Sequence, residues 1–542
     1  MHIKPNHVFW IFALITLVWF SNLEYRKLVR PDEGRYAEIP REMVATGDWV
    51  TPRLNGIKYF EKPALQYWMT AIAYEAFGQH EWTARLWSGL TGYLGILLVF
   101  FTGKRLFGLE AGFYAALALS SSLLYAVIGH INTLDMGVTF FMSLSLSGFL
   151  LAQSSTSERQ RRIWMYVAWA AMGFSILSKG LIGIVLPGAV LVIYTLMQRD
   201  WAIWKRIHLF SGILIMLAVS SPWFILVCRA NPEFFHFFFI HEHFERFLTK
   251  DHGRYHHWGY FIPILLLGLL PWTSAFFAAF FRSWKESPER FQPNRFLLVW
   301  IVFIYFFFSF SDSKLPSYIL PIFPAAALLI GQWLAAIDGR KLFRHLLPIA
   351  MLGALGLLLS PKVVRFSDPI VPITLYRHYV PWLIAASFFA LAGTLYALAQ
   401  CRKNRSARAI IAISLSMLIS GQLVLAGHNS LARSNSAYYL AQQIKPYLMK
   451  NTPFYSVAMY EQTLPFYIKR TVTLVAYKDE MAFGIEQEPD KWIPDIGTFE
   501  RTWRKQPYAL AIMSPEMYAQ LDKTLPMKLI AEDTRRVVVK TP

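Results

Sequence analysis

Charged residues are scarce in this chain of 542 residues: 16% are Asp, Glu, Lys or Arg, while 55% are hydrophobic. A soluble protein of ordinary composition carries about a quarter charged residues. The 43 Phe, 26 Tyr and 19 Trp residues suit lipid-facing and interfacial positions. This balance excludes an ordinary soluble protein and indicates a polytopic membrane protein.

Other features that would point to different classes of protein are also lacking. The net charge is +19, but no compact basic domain or binding motif accompanies it, so nucleic acid is not an expected partner. The only cysteines, Cys228 and Cys401, fall on opposite sides of the predicted membrane and cannot pair with each other. Because the first apolar segment lacks a small-residue cleavage site, we interpret it as a retained signal anchor.

Thirteen apolar segments approach the length of about 20 residues that a helix needs to cross a bilayer. They cover residues 8–28, 84–103, 108–129, 133–153, 163–178, 181–197, 207–228, 259–281, 297–311, 317–337, 346–360, 380–400 and 410–427. With a cytoplasmic N-terminus, the short loops rich in Lys and Arg, such as 157–162 and 401–408, lie in the cytoplasm. Thirteen spans then place the C-terminus on the outer side.

The C-terminal tail, residues 428–542, loses the apolar runs and gains charges of both signs. Within it, segment 436–450 has the spacing of an amphipathic helix, and segments 454–460 and 471–477 have the composition of strands. The sequence therefore predicts a mainly α membrane domain over residues 1–427, followed by a small soluble α/β domain.

Polar residues that packing does not explain collect on the predicted outer side. In the large loop 29–83, Pro31 followed by Asp32 is typical of a helix start. On such a helix, Asp32 shares a face with Arg35 and Tyr36. Further ionisable or hydroxyl side chains at this depth are Tyr59, Glu61, Lys62, Asp135, Lys179, His241, Glu242, His243, Glu245, Arg246, Lys314 and Tyr318. Each alone fits a solvated loop or an interfacial side chain, but together such groups at membrane depth indicate a functional site.

A pocket that combines Lys, Arg and carboxylates at membrane depth suits a lipid-linked phosphate. Two functions fit this chemistry: transfer of a group from a lipid phosphate, or transport of a phospholipid. A transporter is expected to show two similar halves with broken helices at corresponding positions. This chain instead has a large loop after its first span and a domain at its end, which favours an enzyme. A receptor or scaffold gives no reason for ionisable groups at this depth.

Several motifs occur in order along residues 29–325: "PDEGRYAEIPREM", "WVTPRLNGIKYFEKPALQYW", "ARLWS", "LSKG", "HEHFERF" and "SDSKLPSYILP". With the acidic pair in the first outer loop and the predicted topology, they resemble the GT-C glycosyltransferases, which use polyprenyl-phosphate sugar donors. Within that group, the motifs are most similar to bacterial lipid A 4-amino-4-deoxy-L-arabinose transferases. The acidic pair alone is less specific, since protein mannosyltransferases share it.

The resemblance implies a reaction and a location. Aminoarabinose is expected to move from undecaprenyl phosphate to a phosphate of lipid A, at the periplasmic face of the bacterial inner membrane. Residues 428–542 then form a periplasmic domain of an enzyme that we expect to be a monomer. The alternative enzyme is a transferase of another polyprenyl-linked sugar to protein hydroxyls or glycolipids, and a lipid flippase is the alternative outside that class.

The resemblance also implies site residues. Asp32 and Asp135 are the expected catalytic residues. The residues expected to bind substrate and phosphate are Arg35, Tyr59, Lys62, Arg85, Lys179, Lys314 and Tyr318. Glu61 and His243 come from separate loops and could together ligate a divalent metal such as zinc, but two ligands do not close a zinc site. A plain ion pair or hydrogen bond is the alternative.

Overall fold

The chain is described by a computed structural model that covers residues 5–245, 256–284 and 291–542, without the side chains of residues 5 and 241–245. A helical bundle up to residue 428 is followed by a six-stranded sheet with short helices. The predicted class, a mainly α membrane protein with a C-terminal α/β domain, is confirmed. The predicted division at residue 428 stays a prediction, although the last long helix ends there.

The bundle is built from helices rich in Leu, Ile, Val, Phe and Ala. In chain order they are α1 (Pro5–Phe20), α2 (Asp32–Thr46), α3 (Leu65–Phe77), α4 (Glu81–Phe107), α5 (Leu109–Ser121), α6 (Leu123–Ile128), α7 (Asp135–Gln153), α8 (Glu158–Lys179), α9 (Ile182–Gln198), α10 (Ile203–Arg206), α11 (Leu209–Ala230), α12 (Phe261–Gly268), α13 (Thr273–Arg282), α14 (Pro293–Phe310), α15 (Phe323–Ala335), α16 (Gly339–Leu359), α17 (Ile373–Arg402) and α18 (Ser406–His428). A π-helix spans His236–Glu245, and 3-10 turns span Trp258–Tyr260, Pro316–Ile322 and Ser360–Phe366.

All thirteen predicted apolar segments fall on helices. Within the described ranges, eight helices are long and apolar enough to cross a membrane. The number rises to nine if Trp258–Gly268 and Thr273–Arg282, which are bent by 108° relative to each other, count as one broken span. Pro271 lies at this break, where it cannot donate a backbone hydrogen bond to continue the helix.

The first helix is shorter than the predicted span 8–28, because α1 ends at Phe20. Beyond it, polar side chains find buried partners in the bundle. Asn22 donates to the carbonyl of Gln422 at 3.1 Å, and the guanidinium of Arg26 donates to the carbonyl of His130. These contacts hold the chain after Phe20 in an irregular path beside the bundle instead of a longer apolar helix.

The outer loop begins with α2, as the pair Pro31–Asp32 predicted, and α2 ends at Gly47 in the left-handed conformation. A two-stranded hairpin follows, with strands β1 (Arg53–Leu54) and β2 (Ile57–Lys58). Although α2 carries six ionisable side chains among its residues, Glu33 to Met43 are all buried. The loop is therefore not a solvated segment but a packed layer between the bundle and the C-terminal domain.

The C-terminal domain contains one six-stranded sheet. Its strands are β3 (Phe454–Val457), β4 (Thr473–Val475), β5 (Trp492–Ile493), β6 (Leu510–Met513), β7 (Lys528–Glu532) and β8 (Val537–Lys540), in the order β5-β4-β3-β6-β8-β7. The first four are mutually parallel, while β8 pairs antiparallel with β6 and β7. Both predicted strands are confirmed as β3 and β4.

The predicted helix 436–450 is shorter in the structure. It covers Tyr438–Ile444 and continues as a 3-10 turn, Lys445–Tyr447. Pro446 explains the change, since a proline disfavours α conformation in the residue before it and offers no N–H. The helix face still packs inward, because Leu440 and Ile444 join the domain's core.

The domain packs directly against α2. Tyr36, Ile39 and Met43 of α2 share one hydrophobic cluster with residues of the outer sheet and its helices. At Gly34, a Cβ atom would lie 2.6 Å from the backbone carbon of Gln462, so only glycine permits this approach. The first turn of α2 is thereby fixed between the bundle and the C-terminal domain.

Candidate active site

A cavity of 210 Å³ lies where α2, the start of α7, the end of α8 and the segment after α14 meet. Its polar lining combines three carboxylates with three cations and two phenols: Asp32, Glu61, Asp135, Arg35, Lys62, Lys179, Tyr36 and Tyr318. Ile182, Phe307 and Phe308 form an apolar wall. Seven of these residues were predicted as site residues, and they come from five separate segments of the sequence.

Asp32 is the accessible carboxylate of the first turn of α2. Its side chain is 43% exposed, whereas that of Arg35, one turn later, is 9% exposed. Arg35 donates to Asp32 at 3.3 Å, as expected from the shared helix face. The paired acid therefore keeps an oxygen surface that a ligand in the cavity can reach.

Asp135 and Lys179 form an ion pair across the cavity wall. Asp135 is the first residue of α7, where a carboxylate suits the positive end of the helix dipole, and Lys179 is the last residue of α8, where a cation suits the negative end. The Lys179 ammonium also lies 4.7 Å from the centre of the Tyr318 ring. Two helix ends and one aromatic face thus hold this lysine in place.

Arg35 connects the cavity to the C-terminal domain. Its guanidinium donates to Asp32 and also to Glu480 of the C-terminal domain. Burial raises the pKa of Glu480, although Arg35 opposes the rise. Glu480 in turn accepts from Gln462 at 2.9 Å. The chain Asp32–Arg35–Glu480 therefore joins the accessible carboxylate to a second domain.

Of the predicted site residues whose side chains are described, three do not line this cavity, and the first is Arg85. Its side chain is 0% exposed and pairs with Glu33. The remaining guanidinium N–H groups donate to the backbone carbonyls of Leu23, Arg26 and Lys27. Since a guanidinium has five N–H donors and all find partners here, Arg85 has none to offer a phosphate. These contacts give Arg85 a structural role, and its binding of phosphate stays a prediction.

Tyr59 and Lys314 are the other two predicted residues outside the cavity lining, and their binding of substrate stays a prediction. Tyr59 lies behind Arg35, with its ring centre 5.8 Å from the guanidinium carbon, and burial raises its pKa well above the usual range. Lys314 is buried in the cavity wall, where its ammonium donates to the carbonyls of His256 and Ser311. Both residues support the lining but do not present their polar atoms to the cavity.

Of the two predicted metal ligands, Glu61 and His243, the structure describes only the side chain of Glu61. Glu61 lines the cavity, and Lys62 donates back to its carbonyl at 2.8 Å. The side chain of His243 lies outside the described residues. Among the side chains that are described, no group of three His, Cys, Asp or Glu residues has the geometry of a metal site. The metal therefore stays a prediction.

Two carboxylates escaped the prediction. Glu33 was read with Asp32 as one acidic pair, but on a helix neighbouring residues point in different directions, and Glu33 faces inward to Arg85. Glu480 lies far along the chain, in the C-terminal tail, where the sequence shows charges of both signs. No pattern in the sequence links it to Arg35.

A larger cavity of 850 Å³ adjoins the first one, with Arg35 and Glu61 lining both. Its other walls come from the C-terminal domain, from the turn before α2, and from His236 and Phe237 of the π-helix. Arg30 and Arg535 are among its cationic lining residues, and Glu480 and Glu486 are among its acidic ones. The small polar chamber thus shares two lining residues with a wider chamber that the C-terminal domain borders.

Comparison with known proteins identifies the family. Residues 440–541 match the aminoarabinose transferase C-terminal domain, and residues 61–226 match the dolichyl-phosphate-mannose-protein mannosyltransferase family. A protein of Pseudomonas fluorescens (strain Pf0-1) named undecaprenyl phosphate-alpha-4-amino-4-deoxy-L-arabinose arabinosyl transferase 2 is 34% identical over 71% of this chain and 69% of its own length. The Erwinia tasmaniensis protein of the same family is also 34% identical, over 59% of this chain and 58% of its own length.

A solved structure extends the likeness to the whole fold. The crystal structure of ArnT from Cupriavidus metallidurans bound to undecaprenyl phosphate superposes with a TM-score of 0.95 at 41% identity. The superposition covers 99% of this chain and 98% of that protein. The family predicted from the motifs is confirmed: the chain belongs to the undecaprenyl phosphate-aminoarabinose arabinosyl transferases.

Proposed function

We propose that this protein transfers 4-amino-4-deoxy-L-arabinose from undecaprenyl phosphate to a phosphate of lipid A, at the periplasmic face of the bacterial inner membrane. The observation that carries the proposal is the 210 Å³ cavity, where an accessible carboxylate and three cations converge beside an apolar wall. The names and ligand of the similar proteins supply the donor. The family resemblance supplies the acceptor, which the cationic lining of the larger cavity supports, and the predicted topology supplies the membrane face.

The donor phosphate fits the cationic side of the small cavity. Lys62, Lys179 and Arg35 line it, and Phe307 and Phe308 offer an apolar surface to the first units of the polyprenyl chain. When the sugar leaves, the donor phosphodiester becomes a phosphate monoester and gains negative charge. Cations held in fixed positions stabilise charge that develops in this way, which is commonly the largest contribution to catalysis.

The acceptor needs little activation. The second pKa of a phosphate monoester is near 6, so the lipid A phosphate is largely a dianion at neutral pH. One of its oxygens attacks the anomeric carbon of the sugar while the bond from that carbon to the donor phosphate breaks. The electron pair of the broken bond leaves with undecaprenyl phosphate. Attack from the face opposite the leaving phosphate inverts the anomeric carbon.

Asp32 is assigned to the sugar. Its exposed carboxylate lines the cavity at the start of α2 and can bind the positive charge that develops on the sugar ring, or the sugar's amine. Because the acceptor already carries its charge, Asp32 is not required to remove a proton from it. Asp135 then acts through Lys179, which it holds in place.

The acceptor headgroup is assigned to the 850 Å³ cavity. That cavity opens onto Arg35 and is bordered by Arg30 and Arg535, which suit the phosphates of a lipid A headgroup. The C-terminal domain supplies much of its lining, so the domain contributes to acceptor binding in this proposal.

The gene-level test is a comparison of lipid A from bacterial cells with and without this protein, in a strain that makes the aminoarabinose donor. Mass spectra are expected to show an increment of one aminopentose only when the protein is present. An increment of a different sugar, or modification of another glycolipid with lipid A unchanged, would replace the proposed reaction with the alternative transferase.

A further inference from the structure

A third cavity of 610 Å³ lies within the bundle and shares no lining residue with the catalytic cavity. Its walls are α16, α17 and α18, and its floor is formed by α6 and Leu270. The lining runs along α16 from Ile349 to Leu359, which corresponds to roughly 15 Å of helix. Its volume falls in the range of about 300 to 1,000 Å³ that is usual for ligand pockets.

Gly421 of α18 lines this cavity. The residue is buried, yet a Cβ atom built on it would meet no other atom within 4 Å. Other buried glycines of the bundle leave no such room: a Cβ at Gly353 would lie 3.1 Å from the backbone of Leu391. A side chain would therefore fit inside the cavity at Gly421 without displacing the surrounding helices.

The walls favour an apolar occupant. Three of the four hydroxyl groups in the lining are already engaged by helix carbonyls, and the fourth belongs to Ser387. Ser121 donates to Leu117 at 2.6 Å, Ser360 to Gly356 at 2.6 Å and Ser420 to Ala386 at 2.8 Å. Most other lining residues are Leu, Ile, Val, Ala, Met or Gly. A polar ligand would find few groups to bind, whereas an acyl chain would be well matched.

One end of the cavity is cationic. Lys362 and Arg365 line it from the 3-10 turn Ser360–Phe366, and both are exposed. In a 3-10 helix, side chains three residues apart lie above one another, so both cations project from the same face. Neither forms an ion pair with any residue in the described ranges. Nearby Asp368 uses its Oδ1 atom to accept from the backbone of Ile370 and Val371.

The cationic end faces the outer domain. Just beyond the 3-10 turn, the carbonyl of Ile370 accepts from Ser434 at 2.8 Å and from Thr534 of the C-terminal domain at 2.6 Å. The cavity therefore begins at the membrane face that carries the catalytic cavity and extends into the apolar layer. This is the arrangement of a lipid with its headgroup at the interface and its chain among the helices.

We propose that this cavity is a binding site for one anionic phospholipid, whose phosphate pairs with Lys362 and Arg365 and whose acyl chain lies beside Gly421. The lipid is neither donor nor acceptor, because no residue of this cavity reaches the catalytic one. We specify an anionic lipid because the two unpaired cations are the polar groups at the cavity mouth.

The test measures phospholipid binding to the detergent-purified full-length protein by native mass spectrometry, with phosphatidylglycerol and phosphatidylcholine as probes. The wild type is expected to bind one phosphatidylglycerol at least about tenfold more tightly than phosphatidylcholine, since each interfacial cation favours an anionic lipid. The double variant K362Q/R365Q is expected to lose this preference while it still binds both lipids.

Gly421→Leu is the test of the chain site. Leucine is the better helix former, so α18 is not weakened, but its side chain fills the cavity. Binding of phosphatidylglycerol is expected to fall about tenfold or more, as for a ligand excluded from its pocket. Gly188→Leu on α9 is the matched control, because a Cβ at Gly188 also meets no atom within 4 Å and lies outside this cavity.

Three results would overturn the proposal. The first is equal binding of the two lipids by the wild type, and the second is unchanged binding by Gly421→Leu. The third is recovery of a polyprenyl phosphate or lipid A, and not a phospholipid, from the site that Gly421→Leu closes. None of these readouts depends on sugar transfer, so the result is independent of the proposed function.

Discussion

Arg85 and Glu33 form a two-point ion pair in the interior of the protein, with Nε to Oε1 at 2.7 Å and Nη2 to Oε2 at 2.8 Å. The backbone N–H groups of Val29 and Asn132 also donate to this carboxylate, at 3.0 and 3.1 Å. The pair therefore ties α4 to α2 and to the segment that leads into Asp135. It holds together the two chain segments that carry the acidic residues of the cavity.

Removal of one partner of this pair is expected to destabilise the protein. Arg85→Met leaves the Glu33 carboxylate buried without its cation, and breaking a buried pair in this way costs about 3 to 5 kcal/mol. The melting temperature in detergent should fall well below that of the wild type. Arg501→Met, on the exposed surface of the outer domain, is the control and should change little. Equal melting temperatures for both variants would contradict the structural role of Arg85.

The same pair predicts a dependence of stability on pH. Burial opposes ionisation of Glu33, but Arg85 outweighs it and lowers the pKa from 4.5 to about 2. Because the folded-state pKa is lower, the stabilisation is complete above pH 4.5 and is lost as the pH falls towards 2. The difference corresponds to about 3 kcal/mol.

Thermal unfolding between pH 6 and pH 2.5 checks this expectation. Glu33→Gln removes the titrating group, so its melting temperature should fall less steeply with acid than that of the wild type. Glu516→Gln, an exposed carboxylate of the outer domain, should follow the wild-type curve. Parallel curves for Glu33→Gln and the wild type would show that this carboxylate does not dominate the acid sensitivity.

The Asp135–Lys179 pair predicts non-additive effects on activity. If Asp135 acts only by positioning Lys179, then Asp135→Ala, Lys179→Ala and the double variant should each reduce kcat by a similar amount, about 100-fold. Initial rates with purified donor and lipid A measure this. Losses that multiply in the double variant would assign the two residues independent roles. Lys179→Arg should retain more activity than Lys179→Ala, because it keeps a positive charge that Asp135 can still hold in place.

Glu480 is predicted to support catalysis from the second domain. Glu480→Gln removes the charge that Arg35 pairs with, while its neighbour Gln462 can still hydrogen bond to the new amide. We expect kcat to fall about tenfold, equivalent to about 1.4 kcal/mol, with KM for the donor nearly unchanged. Glu480→Asp should recover part of the rate. A change in melting temperature without a change in kcat would make the contact purely structural.

The parts of the fold that depend on local patterns could be read from the sequence. Each apolar run that was predicted as a span falls on a helix of the bundle, and the pair Pro31–Asp32 correctly predicted the start of α2. The errors arose where polar side chains have distant partners. Asn22 pairs with Gln422, 400 residues further along the chain, and Arg26 pairs with His130, 104 residues further. These distant partners end the first helix early.

The same distinction between local patterns and distant partners applies to the candidate site. Lys179 and Asp135 stand out as ionisable residues at helix ends, and the structure brings them together. Arg85 has the same charge as Lys179 and a similar position at the start of a span, but its N–H groups are already bonded to Glu33 and to backbone carbonyls. Nothing in the local sequence separates the two cases, because the difference lies in which carboxylates and carbonyls the fold places nearby.

The most direct test is sugar transfer by the purified protein in detergent, with undecaprenyl phosphate-aminoarabinose as donor and lipid A as acceptor, and with no membrane to cross. The wild type is expected to add one aminopentose to lipid A by mass spectrometry, while Asp32→Asn gives less than about 1% of that rate with an unchanged melting temperature. Transfer by Asp32→Asn at the wild-type rate, or no transfer by the intact wild type, would contradict the proposed chemistry.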